Sequence, residues 1–218
     1  MKTHYYLGWF NNFFPETLSR LLRDDITDRK SIAMISSNPS VYEDDGATER
    51  SWLDQAGIRF DEYHLINYRV HKEEAQAKIR NASVIFLLGG NILEQNGFLL
   101  EYELSESIKE SSAVVMGASA GAINMSAKWL SSSNFGDEVE ENSVYTGIGL
   151  DHFSVLSHFD LENNFSLVQR ELSPLSEEID IYASNKDCAI RVKGDKIDIF
   201  GNVFLISNSK IQKLDETL

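Results

Sequence analysis

The chain of 218 residues is long enough for one full α/β domain and short for two, and 42% hydrophobic with 25% charged residues is the balance of a soluble globular protein. Its net charge of −14, with no Lys/Arg cluster, argues against a nucleic-acid backbone or an anionic membrane surface as partner. No stretch of about 18 apolar residues predicts a membrane span, and the start Met1-Lys2-Thr3-His4 lacks the apolar run of a signal peptide. The one cysteine, Cys188, can form no intrachain disulfide and reads as a half-buried small hydrophobe, which points to a reducing compartment, the cytoplasm.

In chain order, short apolar runs alternate with helix-period segments over the first 130 residues, the pattern of βαβ units around a parallel sheet. Strands are predicted at Tyr5–Phe10, Ser31–Ser36, Glu62–Ile66, Val84–Leu88 and Ala113–Met116, and helices at Pro15–Arg23, Ala47–Ala56, Lys72–Asn81 and Leu99–Glu110. From Ser131 to Asn142 the composition turns polar and acidic and predicts a solvated connector. Farther on, Ala189–Val192 and Lys196–Phe200 flank Lys193-Gly194-Asp195 and predict a hairpin that completes the sheet. We therefore expect a single domain over 1–218, α/β, with a mostly parallel sheet flanked by helices.

The strongest local signal is Gly117-Ala118-Ser119-Ala120-Gly121, between the apolar strand Ala113-Val114-Val115-Met116 and a small-residue helix. In Gly-x-Ser-x-Gly the serine sits in a sharp turn where side chains two positions away would collide with it, so glycine stands on both sides. Such a turn lifts the Ser119 hydroxyl above the strand's carboxyl end and makes the Ala120 N–H a donor to a developing oxyanion. One βα unit earlier, Val84-Ile85-Phe86-Leu87-Leu88 runs into Gly89-Gly90-Asn91. Loops after neighbouring parallel strands meet at one edge, so the Gly90 or Asn91 N–H is placed to be the second donor, with Asn91 otherwise a substrate contact.

A nucleophilic serine needs a base, and the chain offers His4, His64, His71, His152 and His158. His158 closes the strand-like run Phe153-Ser154-Val155-Leu156-Ser157 and can reach the same edge, with His152 at the other end of the run as its rival. For the orienting acid, Asp187, Asp160 and Glu162 are all chemically adequate. No zinc-binding spacing such as His-Glu-x-x-His occurs, and neither metal nor organic cofactor is expected.

Gly89-Gly90-Asn91, Gly117-Ala118-Ser119-Ala120-Gly121-Ala122 and Ser157-His158-Phe159, in this order and spacing, resemble peptidase family S51, the group of aspartyl dipeptidase (dipeptidase E) and cyanophycinase. The resemblance spans nearly the whole chain. It implies a class I glutamine amidotransferase-like (flavodoxin-like) fold with a nucleophile elbow, in which serine replaces the usual elbow cysteine. It also implies a serine peptidase acting on small peptides, with Ser119 as nucleophile, His158 as base and the Gly90 and Ala120 amides as oxyanion donors.

The family's acid is a Glu in a Glu-Gly-Ser-Ala-like segment before a closing hairpin. Here the segment reads Asn185-Lys186-Asp187-Cys188-Ala189-Ile190, so that Lys186 aligns with the Glu and Asp187 is the nearest carboxylate. Aspartyl dipeptidases hold an N-terminal acidic residue with a basic side chain downstream of the histidine, and the nearest such residue here is Arg170, whose other reading is a surface Arg paired with Glu171. Competing readings on the same fold are an esterase and a catalytically silent binding module.

Overall fold

The computed structural model describes residues 2–41, 45–137 and 139–217, so Met1, and Glu138 of the acidic connector, lie outside the described residues. Elements follow in chain order as β1 (Thr3–Leu7), α1 (Glu16–Asp25), β2 (Ser31–Ile35), α2 (Ala47–Gln55), β3 (Glu62–Ile66), α3 (Lys72–Asn81), β4 (Val84–Leu87), α4 (Ile92–Glu101), α5 (Leu104–Glu110), β5 (Val114–Ala118) and α6 (Ala120–Met125). They continue as β6 (Lys128–Ser131), β7 (Ser143–Thr146), β8 (Ser154–Leu156), α7 (Leu161–Leu167), α8 (Ser173–Glu178), β9 (Ile181–Ser184), β10 (Ala189–Lys193), β11 (Lys196–Phe200), β12 (Val203–Ser207) and β13 (Lys210–Lys213).

The main sheet has the order β11-β10-β1-β5-β4-β2-β3. Its five strands from β1 to β3 are parallel, and the β10–β11 hairpin adds to β1 antiparallel. Strand alternation divides the apolar side chains between the two faces. Tyr5, Leu7, Ile32, Met34, Val84, Phe86 and Met116 pack on one face, and Tyr6, Ala33, Ile35, Ile85, Leu87 and Val115 on the other. Burial on both faces is what makes these strands read as unbroken apolar runs. No helix among the described residues is long and apolar enough to cross a membrane.

A second sheet of order β13-β12-β9-β8 packs over Leu156, Phe159, Val168, Leu172, Leu175 and Ile181. Of that sheet the sequence predicts only β8, in the strand-like run that ends before His158. The segment predicted as one helix over Leu99–Glu110 is two helices, α4 starting seven residues earlier, at Ile92, and α5, broken at Glu103 with φ 51°. Gly97 lowers helix propensity in α4 and masked its first half. The helix after the elbow is also shorter than its composition suggests. It ends at Met125 because Ala127 N–H goes to Phe153 O (3.1 Å), and Lys128–Ser131 then pairs with β7 while Trp129 stacks on Tyr145.

Within the main sheet, Arg191 of β10 sits between Tyr5 of β1 and Asp198 of β11 in register. It donates to both oxygens of Asp25 (2.6 and 3.0 Å) and to Asp198 (2.6 Å), while Tyr5 OH and Lys193 also donate to Asp25. Burial alone would raise the Asp25 carboxyl, but the bonds from Arg191, Lys193 and Tyr5 hold it below its ordinary value. Asp198 is lowered in the same way, with Lys196 and Arg191 overcoming burial. Arg191→Met removes the buried partner that two carboxylates share and leaves Asp25 to Lys193 and Tyr5 and Asp198 to Lys196, so it is expected to cost less than the roughly 3–5 kcal/mol of a fully stranded buried charge, read by urea denaturation at pH 7. The folded chain binds fewer protons here than the unfolded one. The stabilisation is therefore present above the unfolded carboxyl value of about 3.9 and is lost as the pH falls through the lower folded values. The gap between wild type and variant should narrow over that acid range.

Candidate active site

β5 lies between β1 and β4, and its end carries the elbow into the middle of the sheet's carboxyl edge. Ser119 N–H still donates to Leu7 O (2.9 Å), so the ladder holds through the serine before the chain turns at φ 47°, ψ −108°. A non-glycine residue at positive φ costs about 1–3 kcal/mol and persists only where the surroundings over-determine it. Here the surroundings are the two glycines. A Cβ on Gly117 would lie 2.5 Å from Gly121 C, and a Cβ on Gly121 would lie 2.1 Å from Leu87 O of β4. The motif's spacing is thus set by backbone packed on backbone.

His158 arrives from the second sheet, just past β8, and also has positive φ (60°). It is pinned on its far side by Phe159 N–H to Ser184 O (2.8 Å). Its Nε2 lies 3.0 Å from Ser119 Oγ, which is within proton-transfer reach. The serine is buried to 8% exposure, and both residues line one cavity of about 290 Å3 together with Gly90, Ala120, Ile92, Ile123, Leu130, Phe135, Asp137 and Leu156. The histidine is exposed along its outer edge, yet desolvation at the cavity wall, followed by the Lys186 charge, pushes its pKa below the ordinary value, with Asp137 acting in the opposite sense. The shift favours the uncharged imidazole, and in the tautomer protonated at Nδ1 its Nε2 can accept a hydrogen bond from the serine hydroxyl.

The sequence profile of peptidase family S51 matches residues 16–200. The chain belongs to peptidase family S51. This S51 chain is a serine-type peptidase, a hydrolase, and its fold is shared by solved peptidase structures. A peptidase from an acI-B1 actinobacterium superposes with TM-score 0.68 at 17% identity, covering 100% of this chain and 96% of that one. A protein provisionally titled peptidase E from Listeria monocytogenes EGD-e superposes with TM-score 0.65 at 19% identity, covering 92% of this chain and 98% of that one. No curated protein matches the chain in sequence.

In this S51 chain the other histidines lie elsewhere. His4 pairs with Asp151 (2.8 Å), His64 with Glu62 (3.1 Å), His71 precedes α3 as its N-cap, and His152 is exposed. The structure does not bring Asp187 to His158. Asp187 is exposed at φ 51°, its N–H donates to Trp9 O (3.2 Å), and its carboxylate accepts the Asn11 N–H (3.4 Å). The loop is held to the segment after β1, and the charge it brings near the imidazole is that of Lys186. Asp160 is spent as the N-cap of α7, accepting from Glu162 and Asn163, and Glu162 is exposed in that helix's first turn. The carboxylate that shares the cavity is Asp137, fixed by Ser132 N–H (3.0 Å). Nothing in its acidic connector distinguished it in sequence from its solvated neighbours.

Arg170 is not brought to the cavity either. Its side chain is 64% exposed and donates twice to Glu171 Oε1 (3.3 and 2.9 Å), the surface pairing named as its other reading. Glu171 is the anchored member of that pair. It accepts from Ser132 Oγ (2.7 Å), Asn134 Nδ2 (2.7 Å) and Asn142 Nδ2 (3.1 Å), and so ties down the connector that carries Phe135 and Asp137. Asn91 is the N-cap of α4, accepting Leu93 and Glu94 N–H at 3.1 Å each, and faces an adjoining cavity. Among the described residues no group of three or more His, Cys, Asp and Glu side chains is gathered to hold a metal ion.

The charges around His158 give a test that needs no substrate. In an NMR titration the imidazole should titrate below about 6.5. Lys186→Met should raise that midpoint, because a positive neighbour is removed, and Asp137→Asn should lower it. A midpoint indifferent to both changes would contradict this electrostatic description.

Proposed function

We propose that the protein hydrolyses amide bonds of short peptides through an acyl-enzyme on Ser119, with His158 as base. The observation that carries this reading is the 3.0 Å approach of Ser119 Oγ to His158 Nε2 at a strained elbow on a cavity wall. His158 Nε2 takes the hydroxyl proton as Oγ attacks the scissile carbonyl, and the Gly90 and Ala120 amides stabilise the oxyanion. The C–N bond breaks, and the amine leaves with the proton from Nε2. Water then gives a proton to Nε2 and attacks the ester carbonyl, the acyl C–Oγ bond breaks, and Oγ takes that proton back from Nε2, which frees the acid and restores Ser119. Asp137 favours the imidazolium that forms in each half, the role an orienting acid plays in a triad.

A cavity of about 290 Å3 sits at the small end of ligand sites, about 300–1,000 Å3, which supports small peptides over folded chains. For the acyl side, Ile92, Ile123, Leu130, Phe135 and Leu156 offer apolar wall, and Asp137 is the charged lining side chain. With Arg170 committed to Glu171, an acidic N-terminal residue has no cation from that source. We therefore favour an uncharged acyl residue over the dipeptidase E preference for aspartate. The single cysteine supports a reducing compartment, the cytoplasm.

A fluorophosphonate should label wild type at Ser119 and leave Ser119→Ala unlabelled. Ser119→Ala and His158→Ala should each lose at least about 10⁴-fold in turnover while unfolding at the wild-type temperature. In a panel of Leu-X, Ala-X, Asp-X and Lys-X dipeptides the first two should be cleaved fastest. An Asp-X preference that disappears in Arg170→Ala would reverse the specificity assigned here, and cleavage of esters alone would make the protein an esterase.

A further inference from the structure

We propose that Ser37 and Glu49 are positioning residues that clamp the Gly89–Gly90 turn and aim the Gly90 N–H at the oxyanion, a role that rests on the Ser119 reading above. Neither residue lines the cavity that holds Ser119 and His158. Both are buried, Ser37 in the turn after β2 and Glu49 on α2.

The clamp grips the turn at two points. Ser37 Oγ donates to Gly89 O at 2.5 Å, and Glu49 Oε1 accepts Gly89 N–H at 3.0 Å. The Gly89 carbonyl and the Gly90 N–H belong to one planar trans peptide and point in opposite directions. By holding the carbonyl toward β2, Ser37 turns the Gly90 N–H away from β2, to the side where Gly90 and Ser119 share the cavity. Glu49 fixes the other end of the same residue, so the peptide plane cannot rotate. The turn has room for this grip only because residue 90 is glycine: its φ is 138°, and a Cβ there would lie 2.3 Å from Ser37 Oγ. The clamp is itself anchored. Ser36 N–H donates to Ile66 O, Asn38 N–H to Ser36 Oγ, and Ser36 Oγ to Asp45 Oδ2 (2.6 Å).

A carboxylate at the position of Glu49 is costly, since an apolar side chain would suit a helix face packed on the sheet. Burial accordingly raises its pKa, and the Gly89 N–H works against that rise. The bond to the turn is the return for that cost. A peptide plane free to rotate would still let substrate bind but would present its N–H poorly to the tetrahedral intermediate. The effect therefore belongs in kcat and not in KM.

The test is steady-state kinetics on a peptide that wild type cleaves, with affinity for a peptide aldehyde of the same acyl sequence and the unfolding temperature measured alongside. Ser37→Ala should lower kcat by about 10–100-fold, less than the loss of an oxyanion donor outright, with KM within about threefold. Aldehyde affinity should fall by the same factor as kcat/KM, because the hemiacetal uses the same donor. Glu49→Met should lower kcat by about tenfold, and Glu49→Gln should stay within about threefold of wild type, since its amide oxygen still accepts the Gly89 N–H. Should Ser37→Ala fail to fold, the contrast between Gln and Met at residue 49 decides alone. Unchanged kcat in the folded variants, a loss confined to KM, or equal loss in Glu49→Gln and Glu49→Met would overturn the inference while leaving Ser119 as nucleophile. A wild type that neither cleaves peptides nor is labelled by a fluorophosphonate at Ser119 overturns both.

Discussion

The architecture of the site rests on the approach of the Gly121 backbone to Leu87 O, so close that a single Cβ would lie 2.1 Å from the carbonyl. This contact lets α6 start immediately above β4 and forces the reversal of the chain at Ser119. Strain at the serine is offset by everything packed around the turn, including the Ser119 N–H bond to β1. A buried amide network then joins the helix after the elbow to the helix after the glycine pair. Asn124 donates to Ile92 O and Gln95 Oε1, Asn96 donates to Asn124, and Gln95 donates to Leu88 O and Ile35 O. Each of these bonds is buried, where an unmet polar group costs about 1–3 kcal/mol, so the network favours one arrangement of α4 against α6. The two oxyanion candidates, Ala120 and Gly90, sit at the starts of those helices and inherit that fixed spacing.

The partner of the serine comes from a different layer. Ser119 follows β5 of the main sheet and His158 follows β8 of the second, and their 3.0 Å contact depends on how β8 is held against α6. Val155 N–H donates to Ser126 Oγ (3.0 Å) and Ala127 N–H to Phe153 O (3.1 Å), which stitch β8 to the end of α6. The relative placement of His158 and Ser119 is thus a property of how β8 packs on the end of α6, and His158 takes up a positive φ in reaching it.

Electrostatics around the pair follow from which loops reach it. The loop after β9 delivers Lys186, which with desolvation keeps the imidazole neutral, while the connector between β6 and β7 delivers Asp137. That connector is held by the nearly buried Glu171, whose carboxyl stays below its ordinary value because bonds from Ser132, Arg170 and Asn142 outweigh burial. The residue expected to bind substrate, Arg170, thereby contributes to the structure that roofs the cavity.

What the sequence determined by itself is local. Apolar runs buried on both faces of a parallel sheet announce β1, β2, β4 and β5, and Gly-x-Ser-x-Gly between strand and helix announces the elbow, because close backbone packing admits only glycine at those two positions. His158 was legible as the histidine that ends a strand-like run, and the hairpin around Gly194 as a turn composition. Only the tertiary structure decided what depends on side chains far apart in the chain. It joined β8, β9 and the local β12–β13 hairpin into a second sheet, since the pairings of β8 with β9 and of β9 with β12 run between short strands far apart in the chain. It also chose among more than thirty carboxylates. Asp187, Asp160 and Asp137 are chemically alike, and loop geometry alone sent the first to Asn11, the second to a helix cap and the third to the cavity. A carboxylate's role is set by what lies within a few ångströms of it, and that distance is not written along the chain.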